Sequence, residues 1–323
     1  MNKSILLATI AVLLVAGCTG QGGNIFNFQQ ITTTTVGGAG LVISDFAADT
    51  TPVFGGSTDR LLLTFSNAGG FDVPNNGALA YLTGSALSFN TSDDSHIYWL
   101  PTGSDTETKS GLGALNAADV VQGTDGTEKT LTWSLKAPNI TSQTRNDVFI
   151  ARVYANYETD VSGTVWIYSQ TESDSARAAG RSLNVPTFSS TSGPVALTVK
   201  TIPSSVVLNS PDTFTLQIKV SSVGGGTLYR YNKFTTYSGL TGSDLGLSDT
   251  DLNHVYITVN APGLSVGSEC QNDQELIGGK SITLSCTVSP SAYPTTFQGY
   301  PITITAQYGY FTERTASVTV QKR

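Results

Sequence analysis

The sequence predicts an all-β protein, on three observations. Apolar and polar residues alternate with period two over many short runs. The runs are rich in Val, Ile, Thr and aromatics, and Gly, Asn, Asp, Ser and Pro separate them. The mature part of the chain also repeats itself at a nearly constant offset.

Period two is clearest in "EKTLTWSL", where Leu131, Trp133 and Leu135 face one way and Thr130, Thr132 and Ser134 the other. Ile302, Ile304 and Ala306 repeat it against Thr303 and Thr305. Such alternation gives a strand one buried face. The repeat is read from five separated segments. "GLVIS" from Gly40 aligns with "GPVAL" from Gly193, and Asp59 aligns with Asp212, both 153 apart. Lys129 aligns with Lys280 and Tyr157 with Tyr308 at 151, and Val165 with Val318 at 153. The second copy carries candidate strands near 194–201, 212–222, 227–237, 254–260, 265–272, 280–289, 300–311 and 315–321. Seven or eight short strands per copy predict two tandem β-sandwiches with immunoglobulin-like connections. Residues 39–171 form the first, 193–323 the second, and the Ser-rich 172–192 a linker. Tyr157 and Tyr308 sit where a tyrosine corner would lie.

The N-terminus sets the compartment. Met1–Ser4 carries one positive charge, and an uncharged 13-residue run follows, Ile5–Gly17. As a helix it spans roughly 20 Å, short of a ~30 Å hydrocarbon core. Residues 1–17 therefore read as a signal peptide. Val15-Ala16-Gly17-Cys18 reads as a lipoprotein cleavage box, with lipid on Cys18 and residues 18–38 as a tether and extra N-terminal strand. The apolar Ile25, Phe26 and Phe28 single out residues 24–36 as a strand for the first domain or for a neighbouring molecule.

Cysteine arithmetic agrees. The chain has three cysteines. Lipid on Cys18 leaves the pair Cys270 and Cys286. A hairpin loop at Ile277-Gly278-Gly279 puts 276 opposite 280 and so 270 opposite 286, close enough to bridge.

Tests for chemistry come out largely negative. The net charge is −7 and only 13% of residues are charged; without Lys/Arg clusters, nucleic acid is not an expected partner. The two histidines, His96 and His254, fall at equivalent points of the repeat, each followed by an aliphatic residue and a Tyr. Each lacks neighbouring ligands for a transition metal, and both read as duplicated strand-start residues. Asp249, Asp251 and Asn253 alternate like the start of a calcium loop, but His254 and Asn260 stand where an EF-hand needs Gly and Glu. They are kept as loose calcium candidates; no metal or other cofactor is expected. "GLSVG" at 263–267 matches a hydrolase Gly-x-Ser-x-Gly, yet no helix pattern follows and no His lies beyond 254, so Ser265 is not read as a nucleophile. In "TLYRYNKFTTYSG", Tyr229, Tyr231 and Tyr237 would share a strand face, an aromatic row fit to stack on sugars or dock a protein. Asn90 and Asn139 begin N-glycosylation sequons.

With the cleavage box at Cys18 and the ending "PITITAQYGYFTERTASVTV" in view, the chain resembles surface lipoproteins of archaea and bacteria that display tandem immunoglobulin-like domains. The resemblance implies a non-enzymatic protein, lipid-anchored on the outer face of the cell membrane, with structural or adhesive roles. One alternative is a filament or lattice subunit assembled by strand exchange of residues 24–36. Another is a carbohydrate-binding or hydrolytic lipoprotein. The expected partners are accordingly the membrane, a protein or glycan at the surface, or further copies of the chain.

Overall fold

The computed structural model describes residues 38–88, 97–103, 105–109, 112–119, 122–233 and 246–323. Cys18 and residues 24–36, Asn90, His96 and Tyr237 lie outside them. The described chain is all-β with one short α-helix. Its strands are β1 Leu41–Ala48, β2 Val53–Phe54, β3 Thr58–Asn67, β4 Ala78–Thr83, β5 Leu100–Pro101, β6 Thr108–Lys109, β7 Glu128–Lys136 and β8 Thr144–Tyr168. Helix α1, Gln170–Ala178, follows, capped by the Ser169 side chain on the Glu172 N–H. The second half continues with β9 Thr187–Ser190, β10 Val195–Ile202, β11 Val206–Val207, β12 Phe214–Ser222, β13 Thr227–Tyr229 and β14 His254–Asn260. It ends with β15 Leu264–Val266, β16 Asn272–Glu275, β17 Ser281–Pro290 and β18 Phe297–Gln321.

The repeat reappears as topology. One four-stranded sheet has the order β1-β3-β7-β5 and its counterpart β10-β12-β17-β15. The remaining sheet runs β16-β14-β18-β8-β4-β6, with short strands added beside β8 and β18. At its centre β8 and β18, 25 residues each, pair antiparallel from end to end. Residue i of β8 matches residue i+153 of β18, so the ladder has a pseudo-two-fold centre at the pair Asn156–Gly309.

Alternation explains how such long strands hold one register. In β8 every odd residue from Asp147 to Val161 is buried, and in β18 every even residue from Tyr300 to Tyr310. All of these but Asp147 and Thr159 join the inward faces of both four-stranded sheets in one apolar core. The expected break between strands at 312–314 is absent. Its polar residues are satisfied within the strand: Glu313 accepts from Arg152 Nε at 2.7 Å, and Arg314 donates to the carbonyls of Ile43 and Ser44. Those carbonyls lie where the β1–β3 register shifts by a bulge.

Because β8 and β18 run straight on, each crosses into the other half. The first part of β8 pairs with β4, but its end pairs with β9 and β11 of the second half. The first part of β18 pairs with β14, but its end pairs with β2 of the first half. The segment expected as a linker carries α1 and β9, and the described residues form one compact unit.

The Cys270–Cys286 disulfide is present, with Cα atoms 5.5 Å apart. The hairpin register expected for it is not. β16 pairs with β14, whereas β17 pairs with β12 and β15, and Ile277 bridges to Ser281. Gly278 and Gly279 both take left-handed φ, 58° and 69°, which lets the chain leave one sheet for the other. Cys270 sits in a 3-10 turn, 268–270, so the bond ties the connection between β15 and β16 to β17.

Candidate functional site

The outer face of the ten-stranded sheet is polar over much of its area, and one part of it is concave. The floor follows from register. On β14, Tyr256 points outward between the buried Val255 and Ile257. Its neighbour on β16 is Asp273, and its neighbour on β18 is Gln307. Gln307 in turn faces Glu158 on β8. Asp273, Tyr256, Gln307 and Glu158 therefore form one row across four adjacent strands, spaced about 4.8 Å apart.

A wall rises beside the row. β13 ends at Tyr229, the Arg230 N–H donates to the Asp251 carbonyl at 2.8 Å, and Tyr231–Lys233 make a 3-10 turn. This brings Arg230 and Tyr231 over the row, and the two with Tyr256, Asp273 and Gln307 line an open cleft of about 430 Å³.

The polar groups are ordered by one another. His254, buried at the start of β14, places Nδ1 2.9 Å from Asp273 Oδ2, which assigns the imidazole proton to Nδ1. Arg230 Nε lies 3.0 Å from the same oxygen, an ion pair whose N–H is not aimed at it. Arg230 Nη2 sits 3.2 and 3.3 Å from the two imidazole nitrogens, against the ring edge. Gln307 donates through Nε2 to Glu158 Oε2 at 2.8 Å, which fixes the amide plane. Asp273 Oδ1 and Gln307 Oε1 accept from none of the described residues. Tyr256 is 42% exposed.

The other expected positions fall elsewhere. Tyr229 is not on a surface row. It is fully buried, with its ring over Gly309, edge-on to Tyr154 at 6.1 Å, and its hydroxyl 3.3 Å from the Ala155 carbonyl. The chain bends after it, so Tyr231 reaches the cleft and Tyr229 does not. Asp249, Asp251 and Asn253 do not converge. Asp249 is exposed, while Asp251 is buried against the Ser248 N–H and hydroxyl and Lys233 Nζ, which hold its carboxyl well below the ordinary range. Asn253 adopts a left-handed φ of 63° beside Gly279. No group of three His, Cys, Asp or Glu side chains fit to hold a metal occurs among the described residues. Asn139 is exposed in a loop after β7.

Tyr157 and Tyr308 do not make tyrosine corners. They stack at 6.0 Å beside the pseudo-two-fold centre. The Tyr157 hydroxyl donates to Asn67 Oδ1 at 2.6 Å, and the Tyr308 hydroxyl contacts Thr159 Oγ1 at 2.8 Å. Burial pushes both phenols far up. Asn67 also donates to the carbonyls of Phe71 and Leu115 and accepts from the Gly69 N–H, so its buried amide is fully bonded.

Asp273 and Gln307 carry no local motif. The usable signal is positional: Tyr256 alternates with the apolar Val255, Ile257 and Val259, hence outward.

No family model matches the chain, and no curated protein matches it. Among solved structures, the secreted serine protease VesC from Vibrio cholerae is similar at 9% identity, with 84% of this chain and 50% of that one covered and a TM-score of 0.19. The chain spans half the length of that protease, and a likeness at this level carries no argument about fold or activity.

Proposed function

We propose that this chain is a non-enzymatic, membrane-tethered protein of the outer cell surface, held by lipid on Cys18. In this reading each half is an immunoglobulin-like sandwich. Its four-stranded sheet faces its part of the shared ten-stranded sheet, and its last strand comes from the other half. The parallel pairing of β2 with the end of β18, and of β11 with the end of β8, supports that assignment, since each short strand meets the strand supplied in exchange.

The observation that carries the reading is the Cys270–Cys286 disulfide. It accounts for two of three cysteines and fits an oxidising compartment. The third cysteine is Cys18, within Val15-Ala16-Gly17-Cys18. Two acyl or alkyl chains on that residue would hold the protein stably, whereas one chain binds marginally.

Intact mass spectrometry of protein extracted from its native membrane tests this. The expected mass begins at Cys18 and includes lipid, and the Cys18→Ser variant is expected in the soluble fraction. An unlipidated mass beginning elsewhere overturns the tether. The filament reading, in which residues 24–36 insert into a neighbour, would then take its place.

A further inference from the structure

We propose that the cleft formed by Arg230, Tyr231, Tyr256, Asp273 and Gln307 binds a neutral oligosaccharide. The inference stands apart from the tether, since none of its residues bears on Cys18.

The chemistry of the cleft selects the ligand class. Its volume, about 430 Å³, falls in the range of small-molecule sites, roughly 300–1,000 Å³. Among the described lining residues the one cation, Arg230, is already beside Asp273 and against His254, so they offer no uncompensated positive charge to a phosphate, a sulfate or an acidic sugar. Glu158 at the end of the row adds a further negative charge. An anion is therefore disfavoured.

A purely apolar ligand is equally unsuited, because it would bury Asp273 Oδ1 and Gln307 Oε1 without a donor. What remains are ring faces alternating with planar polar groups. Tyr256 presents an exposed ring between an acceptor from Asp273 on one side and an acceptor from Gln307 on the other. Tyr231 closes the wall. Carboxylate and amide acceptors flanking an aromatic face match a pyranose, which has one apolar face and a rim of hydroxyl donors.

The site is also held in place before any ligand arrives. Asp273 is fixed by His254 and Arg230, and Gln307 by Glu158, so little side-chain entropy is lost on binding. The open, one-sided shape fits a chain of sugars lying along the four-strand row better than a single enclosed monosaccharide.

The test uses the full chain in detergent and an immobilised panel of neutral glucan, mannan, galactan and chitin oligosaccharides, with heparin as an acidic comparison. Retention of at least one neutral member is expected. Tyr256→Ala and Gln307→Ala are expected to weaken it about tenfold each while the thermal midpoint stays near that of the unmodified chain. Phe297→Ala removes an exposed ring elsewhere on the sheet and is expected to change nothing. Cys18→Ser is also expected to bind normally, which separates this site from the anchor. The proposal is overturned if no neutral glycan is retained, if only heparin is, or if folded Tyr256→Ala binds as well as the unmodified chain.

Discussion

Residues 193–323, expressed alone, should not form a stable second half, because the end of β8 completes it. In the intact chain Val161, Val165 and Ile167 of β8 share a face with Tyr300, Ile302 and Ile304 of β18, and all six are buried. Removing residues 157–168 takes those three aliphatic side chains out of the core. At about 1.5–3 kcal/mol each, the loss is about 6 kcal/mol, comparable with the roughly 5–15 kcal/mol by which whole domains are stable. It also strips the hydrogen bonds that join the first part of β18 to β8, leaving that edge unpaired. Residues 157–311 carry the donated segment, α1, β9 and the rest of the second half in one piece. Thermal unfolding followed by circular dichroism should show a cooperative transition for 157–311 and none, or one at a much lower midpoint, for 193–323. Equal midpoints for the two fragments would refute the exchange.

Other consequences are measurable on the full chain. Replacing both Cys270 and Cys286 by Ser opens a loop with a sequence separation of 16 and should cost about 3 kcal/mol by the chain-entropy relation. Calorimetry should read this as a midpoint lowered by several degrees. A Cβ on Gly309 would lie 2.0 Å from Tyr229 Cε2, so Gly309→Ala should destabilise by about 1–3 kcal/mol, and Gly309→Ala with Tyr229→Leu should recover part of it in urea titrations. The Asp251 carboxyl is held low by Ser248 and Lys233, so the stability it contributes is present above the unfolded value of 3.8 and is lost as pH falls below it. Asp251→Asn should flatten that acid limb in pH-dependent melts. Tyr157 and Tyr308 are raised above 10.0 by burial, so their contribution is intact below pH 10 and lost as pH rises past it. Tyrosinate absorbance should show the buried pair ionising only with unfolding.

Much of the architecture was legible because β alternation is a local property. The strands at 254–260 and 281–290 fall within a residue of the expected bounds, and the 153-residue offset relates β8 to β18 at both ends. What was not legible depended on partners distant in sequence. "FTER" reads as a break because Glu313 and Arg314 interrupt an apolar pattern. They stay in the strand because Arg152 and the bulge of β1, 161 and about 270 residues away, satisfy them. The disulfide was anticipated from a register that does not form. The cysteines meet because β15 pairs antiparallel with β17, Val266 opposite Val288, and the turn at 268–270 continues beside β17 two residues out of the expected register. Tyr229 and Tyr231 sit two apart in a strand-like run, and only the bend after β13 sends one to the core and the other to the cleft.

The exchange of strand ends also sets the timing of folding. The first half begins at Leu41, yet its sheet is completed by Val320 and Gln321 pairing with Val53 and Phe54. A chain emerging N-terminus first cannot finish that half until its last residues are available. Closing a loop of this length places the molecule among slow, high-contact-order folders. On the proposed reading, in which the chain crosses a membrane unfolded, the finished body would not form while this last strand remains on the other side.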